Sequence, residues 1–141
     1  MTPATAQSPG PVAVYGAGMV VGAIFPPDPL PGFPPGQDGV VAPSASGILH
    51  LASGGVGFVA VAVAAILFGG WLVRRGERGR AVWSRVAGVV VLGGFLGGVA
   101  LGSAGTAGLW LAVVVGFGWL LVASVRVYRQ VPRPDGARAA A

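Results

Sequence analysis

Cysteine and lysine are absent from this 141-residue chain, and histidine occurs once. Without cysteine there can be no disulfide and no thiolate metal site, and one histidine leaves a protein-only zinc site short of ligands. No metal and no cofactor is expected. Charge is also scarce. Asp, Glu, Lys and Arg make up 9% of the residues, against about 25% in soluble domains. With 54% hydrophobic residues and a mean hydropathy of +0.78, the composition is that of a lipid-facing protein.

The net charge of +5 is carried by arginine alone. The arginines fall in two clusters, Arg74 to Arg85 and Arg126 to Arg138, each directly after an apolar segment. Nucleic-acid binding needs cations gathered on one soluble face, so no nucleic-acid partner is expected. Cations beside apolar segments instead orient membrane helices and keep their side in the cytoplasm. Arg74, Arg75, Arg78 and Arg80 are candidates for lipid headgroup contact, each favoured by about 1 kcal/mol near an anionic surface. No acid or arginine interrupts the middle of an apolar run. Buried charges mark ion paths, so their absence argues against an ion-coupled transporter built from this chain alone.

Four apolar segments are expected to be helices, at 11–25, 47–73, 86–102 and 107–125. The predicted fold is all-α, a polytopic transmembrane helix bundle of about four helices with a Pro/Gly-rich outer loop. Residues 1–10 are expected to be a disordered N-terminus, 11–128 the transmembrane domain and 129–141 a basic disordered tail. The first segment is short: fifteen residues at ~1.5 Å each reach about 22 Å, against a ~30 Å hydrocarbon core. Arg74 to Arg85 reads as a connection, and Ser103 to Thr106 as a tight outer turn. Both termini then lie on the arginine side.

The outer loop is the most distinctive stretch. Phe25 to His50 holds seven of the twelve prolines, two of the four carboxylates and the one histidine. Pro26, Pro27, Pro29, Pro31, Pro34, Pro35 and Pro43 remove backbone donors and extend the residues before them. Asp28 and His50 sit at the two ends of this loop, each at a helix terminus. They are the candidate catalytic or binding residues, because a carboxylate that orients an imidazole can make an acid–base pair. The alternative is structural, with His50 capping at the interface and Asp28 bonding loop backbone.

Glycine is the other abundant feature, with 26 residues. Small residues spaced by four let membrane helices approach closely. The expected packing positions are Gly18 and Gly22 in the first span, Gly54 and Gly57 in the second, Gly94, Gly98 and Gly102 in the third, and Gly108 and Gly116 in the fourth. Val91 is expected to lie away from the third-span stripe.

Phe25-Pro-Pro-Asp28, the Pro-Gly loop and Gly47-x-x-His50 opening a helix together resemble the bacterial membrane proteins grouped as domain of unknown function 998. That family resembles this chain in a G-x-F-P-x-D helix end, a following loop, a histidine opening the next helix and a basic turn. The resemblance runs from about Gly22 to Arg129. It implies a bacterial inner-membrane location and marks Asp28 and His50, and it brings no established activity. The family has about six helices, so the chain is expected to lack the first two. The leading reading is a non-catalytic membrane component that acts through helix packing or partner binding, with the bilayer and a second copy or other membrane helices as partners. The alternatives are a membrane enzyme with an outer-face site near Asp28 and His50, and a transporter or pore subunit.

Overall fold

The computed structural model describes residues 10–130 except Phe33 and Val40. The expected disordered stretches at the two ends fall, beyond Gly10 and beyond Gln130, outside the described residues. Four α-helices lie within them: α1 (Gly10–Ile24), α2 (Ala45–Arg74), α3 (Arg78–Leu101) and α4 (Thr106–Tyr128). A 3-10 turn at Gly102–Gly105 joins the last two, and no strand occurs among the described residues. The helices α2, α3 and α4 have 30, 24 and 23 residues and are apolar enough to cross a membrane. At ~1.5 Å per residue all three exceed the ~30 Å hydrocarbon core. The 15 residues of α1 make a shorter apolar helix.

The connection between α2 and α3 is tighter than the arginine cluster suggests. Arg78, Arg80 and Arg85 lie within α3, leaving three residues between the helices. Arginine is a good helix former, so the charged stretch continues α3 instead of interrupting it. The turn itself is a Schellman motif. Glu77 N–H donates to Leu72 O at 3.0 Å and Gly76 N–H to Val73 O at 2.9 Å. Gly76 has φ +78°, the left-handed conformation that this cap requires and that glycine adopts without a Cβ penalty.

Helices adjacent in sequence are adjacent in space, while α2 and α4 meet only slightly. The two central helices therefore have neighbours on two sides. Their contacts are built from small residues. Gly88 of α3 lies against Ala62 O of α2, where an added Cβ would stand 2.8 Å away. Gly18 of α1 lies equally close to α2, with Ser53 O 2.7 Å from the same construction. Such contacts bring backbones together and maximise dispersion where lipid supplies no hydrophobic drive. The largest fully buried side chains are only Val61 and Val91. Val91 is thus a core residue, not a lipid-facing one. A helix sandwiched between two others buries two faces: Val91 belongs to the core cluster with Val61 and Ala62 of α2, and its Cγ2 is 3.6 Å from a Cβ placed on Gly116 of α4. Phe58 of α2 stacks on Phe95 of α3 with ring centroids 4.9 Å apart.

The outer surface is apolar. Val89, Val114 and Leu121 are 64%, 65% and 66% exposed, along helices long enough to span. A water-soluble monomer does not carry such a continuous apolar surface; a protein solvated by lipid does.

Candidate functional site

At the loop end of the bundle, sequence and geometry explain each other. In an α-helix the carbonyl of residue i accepts from the N–H of residue i+4. For Gly22 that donor would come from Pro26, and for Phe25 from Pro29. Neither proline has an N–H. His50 of α2 supplies the missing donor, with its Nδ1 2.9 Å from both Gly22 O and Phe25 O. Two acceptor carbonyls fix the tautomer: Nδ1 carries the hydrogen and is shared between them. The helix terminus that the prolines leave open is closed by a side chain 25 residues further on.

The start of α2 is fastened in the opposite direction. Ser44 is its N-cap, and its hydroxyl accepts from Gly47 N–H at 3.0 Å, as an N-cap serine does. Asp28 then accepts from the Ser44 backbone N–H at 2.9 Å. Hydrogen bonding from the Ser44 hydroxyl and then its amide holds the Asp28 carboxyl below its ordinary value of 3.8. Gly47 makes room for this. A Cβ there would collide with the Asp28 carboxylate. Ser46 Oγ adds a bond to Pro26 O at 2.9 Å, and Ser53 Oγ donates to His50 O at 3.1 Å.

Asp28 and His50 therefore occupy one junction and serve different helix ends. Among the described residues no hydrogen bond or ion pair joins them. The arrangement can hold two antiparallel helices at fixed height and angle. The described residues contain no group of three or more His, Cys, Asp or Glu side chains able to hold a metal.

The opposite end has its own polar cluster, centred on Glu77. Its carboxylate pairs with Arg80, at 2.6 Å, and with Arg126 of α4. The hydrogen bond from Arg80 comes first in holding the Glu77 carboxyl below its ordinary value, and the charges of Arg126 and Arg80 add to it. All four arginines singled out for headgroups, Arg74, Arg75, Arg78 and Arg80, are exposed. Arg75 lies over the Trp71 ring at 4.0 Å and donates to Gln130 Oε1 at 3.0 Å. A buried bridge runs just inside this end: Trp119 Nε1 donates to Ser84 Oγ at 2.9 Å, and Ser84 donates to Ala65 O at 2.7 Å. One serine thereby links α2, α3 and α4. The sequence pattern singles out Arg126 only as the start of the second arginine cluster, and does not single out Glu77, Ser84 or Trp119. The sole acid within an arginine cluster was the available signal for Glu77; nothing marked Ser84.

The glycines divide by position. Gly57 lies 3.1 Å from Met19 by its constructed Cβ, Gly98 2.9 Å from Leu109, and Gly94 in collision with Gly108 O. Gly22, Gly108 and Gly116 have ordinary contact distances, and Gly54 has open space. Gly102, at φ +55°, ends α3 with nothing near its constructed Cβ.

Long apolar helices, a lipid-compatible surface and polar clusters confined to the two ends define a polytopic α-helical membrane protein. The profile of the family described as "Protein of unknown function (DUF998)" matches residues 2–128. The chain belongs to that family. Neither the curated proteins nor the solved structures contain a match to it.

Proposed function

We propose that the protein is a non-catalytic membrane component that acts by packing against other membrane helices, a second copy of itself included. The observation that carries this reading is the use of the junction's polar groups: Asp28, Ser44, Ser46, His50 and Ser53 all bond to backbone at or near helix ends. An acid–base pair needs groups directed at a substrate; these are directed at the fold. Much of α3 and α4 is meanwhile left for outside contact. Gly93 is exposed there and Gly97 half-buried; neither has anything within 4 Å of a constructed Cβ, a spacing of four that suits a partner helix.

Because the chain has no cysteine, a benzophenone can be attached at a single introduced thiol. Placed at Gly93→Cys in native membranes, it should give protein adducts on illumination at several times the yield found from Val114→Cys. Equal yields from the two positions would remove the reading.

The same chemistry tests orientation. The asymmetry of arginine between the two ends supports an orientation with both termini cytoplasmic and the proline loop outside, and the likeness to the bacterial membrane family supports a bacterial inner membrane as its place. Asp38→Cys should react with an impermeant thiol reagent in intact cells, and Arg78→Cys only after lysis. Reversed labelling inverts the topology.

A further inference from the structure

A groove of about 750 Å³ opens between α3 and α4 at the arginine end, floored by Phe68 and Leu72 of α2. That volume lies within the ~300–1,000 Å³ usual for ligand sites. Its walls are apolar and aromatic, with Trp83 on one side and Trp119 on the other, and its mouth carries Arg80, Arg126 and Arg129. We propose that this groove holds one anionic phospholipid, its phosphate at the arginine mouth and an acyl chain along the α3–α4 trench.

Three observations lead to that occupant. The first is depth. From Arg126 to Val115, both lining residues, α4 rises about 16 Å, half of the ~30 Å hydrocarbon core. The groove thus extends through one leaflet, from headgroup level towards the midplane. The second is charge. Glu77 neutralises part of the mouth by pairing with Arg80 and Arg126, while Arg129 has no acidic partner among the described residues. Three guanidiniums against one carboxylate leave an excess that a phosphodiester matches, and arginine's planar fork suits phosphate oxygens. The third is an unmet donor. Arg126 Nε is buried without a hydrogen-bond partner among the described residues, in a side chain that lines the groove. Buried donors are ordinarily satisfied, and a small turn of the guanidinium toward the mouth would bring this one within reach of a phosphate oxygen.

The test uses the full-length chain in mixed micelles with equal amounts of phosphatidylglycerol and phosphatidylcholine. Lipid retained after gentle detergent removal is counted by native mass spectrometry. One phosphatidylglycerol per chain is expected to persist in preference to phosphatidylcholine. Arg129→Gln, which touches no ion pair among the described residues, should lower that preference about fivefold, the worth of one arginine at an anionic surface. Arg78→Gln, in the same basic region and outside the groove, should change it less than twofold. Gly118 lines the groove and has open space above it, so Gly118→Leu should fill the trench and eject the lipid with every cation still in place. Equal retention of the two lipids, equal effects of Arg129→Gln and Arg78→Gln, or undiminished retention in Gly118→Leu would each overturn the proposal. So would a lipid-free dimer that dissociates in Gly118→Leu, which assigns the trench to a second copy.

Discussion

Gly94→Leu is expected to separate α3 from α4 and to be among the most damaging single changes in the chain. A Cβ at Gly94 would already collide with Gly108 O and approach Ala112 Cβ to 3.0 Å. Ala112 is fully buried, so it cannot turn aside, and Gly108 O belongs to backbone. Overpacking of this kind costs about 3 kcal/mol when the contacts are side chains, and more where the obstacle is a helix backbone. The comparison is Val89→Leu on the same helix, at a position 64% exposed, where the larger side chain meets lipid. Thermal unfolding in mild detergent should show a large loss for Gly94→Leu and almost none for Val89→Leu. Similar unfolding temperatures would mean that α3 and α4 do not meet at Gly94.

The second large effect is expected at the loop junction. His50→Ala leaves Gly22 O and Phe25 O without the donor that their prolines withhold. Unsatisfied carbonyls that are partly buried cost about 1–3 kcal/mol, and the helical donors of these two carbonyls cannot be recruited because Pro26 and Pro29 have no N–H. Pro26→Ala in the His50→Ala background should restore part of the loss, since alanine at 26 offers Gly22 O its ordinary helical partner. A double mutant no more stable than His50→Ala would refute this account. Acid should loosen the same junction from its other side. The folded Asp28 carboxyl lies below its ordinary value of 3.8, so the unfolded chain binds the proton more readily. The Asp28 contribution is therefore complete above that value and is lost as pH falls through the lower folded one. Asp28→Asn keeps an acceptor for Ser44 and should flatten that part of the acid dependence.

The fold class was legible because hydropathy needs no partner information: long apolar segments, arginines beside them and a proline-rich interruption belong to local sequence. Helix limits were less so. Arg78 to Arg85 read as connection because charge was taken to end a span, whereas a helix continues through the headgroup layer without cost. The side of a helix that packs was harder still. Gly94 and Gly98 do lie against α4, but Gly102 serves a turn and Gly54 faces open space, and a spacing of four cannot distinguish these cases. Val91 shows the same limit, since its burial depends on which two helices flank α3. At the junction the prominence of Asp28 and His50 was evident, and their partners were backbone atoms that composition does not display. The clue was present all the same: prolines four residues beyond Gly22 and Phe25 announce two carbonyls in need of a distant donor.

The junction also separates two properties that most hairpins tie together. In an ordinary helical hairpin the connecting residues set how the helices meet, so altering the connection alters the packing. Here the bonds from His50, Asp28 and Ser46 close a ring around the connection at its base. Chain between Leu30 and Pro43 lies outside that ring. Its length and chemistry are free to diverge while α1 and α2 keep their register, which makes this loop the part of the molecule best placed to acquire new recognition without a new scaffold.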